Sequence, residues 1–228
     1  HLADFGEDLR VTAGSYLSWT LEFLGSPESA ERVSTETLAT ARRLKHPFSL
    51  GYALTFGALL QCRLQQPKRA RALAAEAIRL ADGHGFHLWG IGGRVARGWV
   101  NAAQGQLSGV SEISQCVDAI NAAMSGVTLR VLTMLADAQV RTRQFDEADE
   151  TIRRALSTGK ALDDHHLEAE LLCLRGQALL GQWLGNTPAA TKSFERALTI
   201  SSQQQATSIV RQVQLAQVAM MTKASHGF

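Results

Sequence analysis

The sequence predicts an all-α fold: a right-handed α-solenoid of about five helix hairpins followed by a C-terminal helix. Three observations carry it. The composition favours helix, with many Ala and Leu, four prolines and 6% aromatics in 228 residues. A helical motif recurs at a steady interval. Prolines mark the start of the same helix in successive copies.

The motif has small or apolar residues at offsets 0, +4 and +7. Its clearest copy is Ala190, Phe194 and Ala197 in "TPAATKSFERALTI". Ala148, Ile152 and Ala155 repeat it, as do Ala70, Ala74 and Ala77, and Val110, Ser114 and Val117. Ala30, Ser34 and Thr37 form the weakest copy. The copies start at 30, 70, 110, 148 and 190, steps of 40, 40, 38 and 42. An interval of that size marks a repeat architecture, and repeats are the first thing to test for. An independent set of residues holds the register: twelve positions before each start lie Ser18, Ala58, Gly98, Ala136 and Ala178. All five are small, which predicts close helix–helix approach there.

Taken in order, the first helices of the hairpins are predicted at 9–24, 48–64, 87–104, 127–142 and 164–181. The second helices are predicted at 27–44, 67–82, 108–124, 145–159 and 188–201, and a final helix at 205–222. Pro27, Pro67 and Pro188 open second helices, where a missing N–H has no partner to lose. Pro47 opens "PFSLGYALTFGALL". Ser26 and Thr187 stand as N-caps. Gly25-Ser26-Pro27, Gly83-His84-Gly85, Gly105, Ser125-Gly126 and Gly185-Asn186 punctuate the helices. No alternating strand pattern and no low-complexity linker divides the chain. A single domain over 1–228 is the expectation, with repeats near 9–44, 47–82, 87–124, 127–159 and 164–201.

Ala–x3–Phe–x2–Ala, with a small residue twelve before it, resembles the tetratricopeptide repeat, and "AATKSFERALTI" matches that family's second helix well. The interval exceeds the family's usual ~34 and resembles the longer-looped form in bacterial signalling proteins. "ARRLKHPFSLGYALTFGALL" and "GFHLWGIGGRVARGWVNAAQGQ" resemble the C-terminal repeat region of large bacterial proteins. Those proteins join a nucleotide-cyclase or winged-helix domain, a P-loop ATPase and such an array. The sequence departs from the pattern in two places. The proline that closes the second helix is replaced by Arg42, Asp82, Lys160 and Ser202. The usual first-helix aromatic is replaced by Leu21, Gln61, Asn101 and Gln139.

The resemblance implies a concave face lined by first helices. Carried over position by position, that face falls on Tyr16, Trp19 and Phe23, then on Tyr52, Thr55, Phe56 and Arg63. It continues through Val95 and Trp99, then Arg130, Met134, Asp137 and Arg141, and ends on Glu170 and Gln177. Aromatic rings offer large contact area at modest entropy cost, and Arg can clamp a carboxylate. The expectation is a non-catalytic scaffold for a protein or peptide, regulating a larger bacterial signalling or transcription protein. That partner includes another domain of the same full-length protein. The alternative is a small-ligand (inducer) sensor using the concave groove. The final helix, with Met220 and Met221, either caps the array or mediates dimer contacts.

Other features point elsewhere only weakly. Twenty-three basic residues against 21 acidic ones give no electrostatic case for nucleic acid or an anionic membrane. Basic clusters at Arg42, Arg43 and Lys45, at Lys68, Arg69 and Arg71, and at Arg153 and Arg154 read as solvated second-helix faces. No apolar run nears the ~20 residues of a membrane span. Three scattered cysteines, Cys62, Cys116 and Cys173, read as small buried hydrophobes in a reducing, cytoplasmic setting. "DDHHLE" (163–168) lacks the i, i+4 His pair of a helical metal site, and Asp163 or Asp164 is expected to cap a helix. "GIGGRVARG" is no phosphate loop, so close packing must explain Gly90, Gly92 and Gly93. "GKA" at 159–161 lacks the rest of a Walker loop. No Ser, His and Asp pattern suggests a nucleophile. No cofactor and no metal is expected. The opening "HLADFGEDLR", with no initiator Met and no signal peptide, leads to the expectation of a fragment of a longer protein.

Overall fold

The computed structural model describes residues 8–120, 125–183 and 186–225. Among them are eleven helices and no strand. They are α1 (Leu9–Phe23), α2 (Pro27–Leu44), α3 (Pro47–Arg63), α4 (Pro67–His84), α5 (His87–Ala103), α6 (Leu107–Ala119), α7 (Ser125–Arg141), α8 (Phe145–Ala161), α9 (Glu168–Gln182), α10 (Thr187–Gln203) and α11 (Thr207–Ser225). Two compact units result, His1–Gln104 and Gly105–Phe228.

In the first unit α1 packs on α2 and α3, α2 on α3, α3 on α4 and α5, and α4 on α5. In the second, α6 packs on α7, α7 on α8 and α9, α8 on α9, α9 on α10 and α11, and α10 on α11. Within each unit, therefore, a first helix touches the first helix of the next hairpin, and the second helix between them packs on both. By this pattern α11 behaves as the first helix of a further hairpin.

The turns share one geometry. One residue is left-handed at Gly25, Gln65, Gly105 and Arg143, in the turns that lead from first to second helices. Lys45, Gly85, Asp163 and Gln205 do the same in the turns back. In six of these turns the next residue's N–H reaches five residues back to close a six-residue Schellman loop. Those bonds are Ser26 N to Leu21 O at 2.8 Å, Gln66 to Gln61 at 2.9 Å, Phe86 to Ala81 at 3.0 Å, Gln144 to Gln139 at 2.9 Å, Asp164 to Gly159 at 2.9 Å and Ala206 to Ser201 at 2.8 Å. The left-handed positions 25, 65, 105 and 143 step by 40, 40 and 38, the same interval as the motif.

The packing register follows the periodic residues. Ala30, Ala70, Ala74, Ala77, Ala148, Ile152, Ala155, Ala190, Phe194 and Ala197 are fully buried. Ser18, Ala58, Gly98, Ala136 and Ala178 are buried too. In the third hairpin Ile113 takes the buried place that the offset assigned to Ser114. The glycines of "GIGGRVARG" are explained by close approach. A Cβ at Gly93 would lie 2.8 Å from Ile78 Cγ1 and 3.2 Å from the Ala74 carbonyl, and one at Gly92 would lie 2.3 Å from Thr55 Cγ2. They let α5 press against both α4 and α3.

Several boundaries differ from expectation. The first helix of the fifth hairpin starts at Glu168, not 164, because the Schellman turn at Gly159–Asp164 uses up the intervening chain. Neither Asp163 nor Asp164 caps it: Leu167 is the N-cap residue, and Asp164 instead accepts a bond from the His166 N–H at 3.3 Å. Ser26 holds the N-cap position of α2 without a side-chain cap bond, and Thr187 lies inside α10, whose N-cap is Asn186. Helix α6 ends at Ala119, where Ile120 turns extended; residues 121–124 of the predicted helix lie outside the described residues. The expected basic faces are partly tied. Arg42 reaches Glu76 at 2.7 Å, Arg69 pairs with Glu31 and Arg153 reaches Asp149 at 3.1 Å.

A left-handed residue other than glycine costs about 1–2 kcal/mol. Replacing Gln65 or Gln205 with glycine should remove that strain, partly offset by the added freedom of the unfolded chain. Each of Gln65→Gly and Gln205→Gly is expected to raise the thermal midpoint by roughly 2–4 °C. Gly105→Ala should lower it by a similar amount, since the new Cβ meets nothing within 4 Å and only the backbone is strained. Thermal melts followed by circular dichroism check both signs.

Candidate binding surface

In the first unit Phe48, Tyr52 and Phe56 follow one another at four-residue spacing and share a stripe of α3. Neighbouring helices extend that stripe. Tyr52 stacks on Phe56 with centroids 4.6 Å apart, and Phe56 stacks on Trp19 of α1 at 4.4 Å. Tyr16 meets Phe56 edge-on at 5.2 Å. On the other side Trp89 of α5 meets Tyr52 at 4.7 Å and Phe48 at 5.2 Å. Such pairs contribute about 0.5–1.5 kcal/mol each beyond their buried area. The Trp19 indole N–H donates to the Phe56 carbonyl at 3.1 Å, which fixes its ring plane.

This ladder has a root and a lip. Trp89 is buried, and Gly51 makes room for it, since a Cβ there would lie 2.8 Å from the indole. Tyr52 is only 7% exposed. Trp19 and Phe56 are half-buried, and Tyr16 is 55% exposed. Tyr16, Trp19 and Phe56 therefore form the accessible lip. Tyr52, expected on the surface, supports them from below. Trp99, also expected on the surface, is 2% exposed and belongs to the core, as do Val95 and Thr55. The Thr55 hydroxyl donates to the Trp89 carbonyl at 3.3 Å.

Arg63 was expected to clamp a ligand carboxylate. The carboxylate it holds is Glu22, with Nε to Oε2 at 2.6 Å and side chains 10% and 5% exposed. This ion pair bolts α3 to α1 beside the aromatic stripe. Glu22 carries no motif of its own; its signal is that it precedes Arg63 by 41 residues, one repeat. Phe48, Phe86 and Trp89 were likewise outside the expected set, although the spacing of Phe48 from Tyr52 was readable.

The second unit presents different chemistry. Arg130 Nη2 lies 3.0 Å from His166 Nε2, and the other ring nitrogen of His166 bonds Asp164. Burial pushes the Asp164 carboxyl up, but the His166 hydrogen bonds and the Arg130 charge outweigh it and hold it below its usual value. Asp137 and Arg141 pair at 2.9 Å along α7, with Met134 half-buried nearby in sequence. On α9, burial pushes the Cys173 thiol up to about 12, and the charges of Glu170 and Asp137 add to the shift. Gln177 Nε2 approaches the same sulfur at 3.8 Å. All three cysteines are buried and none forms a disulfide.

Breaking a buried ion pair on one side leaves an uncompensated charge. Glu22→Gln is expected to cost about 3 kcal/mol in urea denaturation, and the double variant Glu22→Gln/Arg63→Met to recover most of that loss. For Cys173 the folded value lies above the unfolded one, about 8.5. Its contribution is therefore fully present below pH ~8.5 and is lost as pH rises toward 12. At pH 8 a thiol reagent should label Cys173 only at the rate of unfolding, read by mass spectrometry of the labelled peptide.

No family model matches the chain, and no curated protein matches it either.

Proposed function

We propose that the chain is a non-catalytic binding module that takes a peptide or partner helix on the first-helix face of its first unit. The carrying observation is the lip of Tyr16, Trp19 and Phe56, half-open to solvent and braced by stacked rings beneath. Rings held in place before binding lose little entropy on contact, so their area converts efficiently into affinity. An amphipathic helix with anchors at i, i+3 or i+4, and i+7 suits such a strip. The buried Glu22–Arg63 pair supports the reading, because it holds α1 and α3 at a fixed separation.

The repeat type in this proposal is the tetratricopeptide hairpin wound into a right-handed superhelix. The regular interval, the buried small-residue seam and the recurring turns support it. The setting is that of a regulatory segment of a larger bacterial signalling or transcription protein in the cytoplasm, with a protein or peptide as partner. That setting rests on the two segments that resemble the repeat region of such proteins.

A random peptide library panned against the chain tests the face directly. Peptides selected on the wild type should bind Tyr16→Ala at least ~30-fold more weakly, the loss typical of an interface hot spot. Tyr16 is 55% exposed, so the variant should stay folded and melt within a few degrees of the wild type, the loss of its ring pairs costing about 1–2 kcal/mol. Equal binding of the selected peptides to wild type, Tyr16→Ala and Trp19→Ala would remove the face from consideration.

A further inference from the structure

The second unit contains a cleft of about 720 Å³. Helix α9 packs on both α8 and α10, and the cleft opens between those two. Its lining residues on α9 are Glu168, Leu171, Leu172, Arg175 and Leu179, a single helical stripe. Helix α10 contributes Ala189, Lys192, Ser193 and Arg196, again one stripe, and α8 contributes Leu156, Gly159 and Lys160. Glu170, Cys173 and Gln177 are absent from this lining. On α9 they stand two residues out of step with it, on the other side of the helix.

The floor is leucine and the rim is basic. Two of the four rim cations already hold a carboxylate: Arg175 shares Asp149 with Arg153, at 3.1 Å, and Arg196 reaches Glu168 at 2.9 Å. Lys160 and Lys192 make no ion pair among the described residues. The Asp164 carboxylate on the same rim is engaged by His166. Two ammonium groups over an apolar floor therefore carry the unbalanced charge of the cleft. The volume lies within the range of pockets that enclose small organic ligands, roughly 300–1,000 Å³.

From this juxtaposition we infer that the cleft binds an amphiphilic organic anion, a carboxylate with a hydrocarbon tail. The head group would sit on Lys160 and Lys192, and the tail on Leu156 and Leu179, with the buried Leu171 and Leu172 completing the floor. Charge selects the head, because a cation would face the two ammonium groups unscreened. Leu156 and Leu179, half-buried at the cleft, select the tail, because a bare anion leaves their surface in water. This inference is independent of the aromatic lip, which belongs to other helices.

Decanoate is a suitable probe, with decyltrimethylammonium as the tail with reversed charge and acetate as the head alone. Titration calorimetry on the whole chain, below the micelle concentrations, should show saturable binding of decanoate. Decyltrimethylammonium and acetate should each bind at least roughly tenfold more weakly. The exposed double substitution Lys160→Gln/Lys192→Gln should weaken decanoate at least roughly tenfold, a difference expected for charge-assisted contacts, without changing the melting temperature. The inference is overturned if decanoate does not saturate, if the double variant binds it as well as wild type, or if the cationic surfactant binds equally.

Discussion

A six-residue loop, closed by an N–H that reaches back to a carbonyl five positions earlier, ends helix after helix in this chain. Its fifth residue is left-handed each time. The last carbonyls of a helix have no partner within it, and this loop supplies one without lengthening the chain. A short return of this kind leaves the two helices no option but to run back antiparallel and pack along their length. Because the loop recurs at the interval of the sequence motif, it also keeps the small residues of one helix opposite the small residues of the next. Ser18, Ala58, Gly98, Ala136 and Ala178 are useful as a seam only if the turns hold that phase.

Once the seam is set, bulky residues must go where the helices diverge. In the first unit that place is the stripe of Phe48, Tyr52 and Phe56, which collects Tyr16 and Trp19 from α1 and Trp89 from α5. The same close approach explains the glycines of α5. Gly92 and Gly93 have no room for a Cβ against Thr55 and Ile78, so the helix accepts their entropic cost in exchange for contact on two sides. Electrostatics then act as lateral ties rather than as a driving force. Glu22–Arg63 connects successive first helices inside the unit, while Arg42–Glu76 and Arg69–Glu31 connect successive second helices at its surface. The exposed ties contribute little each. The buried one has no solvent to replace it.

The hairpins were legible because their signals are local and repeated. Prolines at helix starts and small residues at fixed offsets appear several times, so one weak copy such as Ala30, Ser34 and Thr37 does not spoil the register. Depth was not legible. The register placed Tyr16, Tyr52 and Trp99 on first-helix faces, but whether a ring is lip or core depends on what the neighbouring hairpin brings. Trp89 buries Tyr52, and nothing in the spacing announced it. Turn chemistry was half legible: Gly25, Gly85 and Gly105 stood out, whereas Lys45, Gln65, Arg143, Asp163 and Gln205 take the same left-handed geometry without a turn-forming signature. There the tertiary return overrides local preference. The same override moved the start of α9, because Asp163 and Asp164, expected to cap it, are spent on the loop from Gly159 to Asp164.

That loop also joins the two chemistries of the second unit. Its first residue, Gly159, and the following Lys160 lie on the wall of the cleft. Its last residue, Asp164, is bound through His166 to Arg130 on the first-helix side. A Cβ at Gly159 would fall 2.7 Å from the Asp164 carbonyl, so in this copy of the loop a side chain at its start would force the backbone to shift. The position of Lys160 is therefore set by backbone geometry rather than by a side-chain partner. Its ammonium, with no carboxylate partner among the described residues, leaves its charge open to an anion at the cleft. The failed Walker-like "GKA" is thus best understood as a helix end: its glycine makes the turn and its lysine is left facing the cleft.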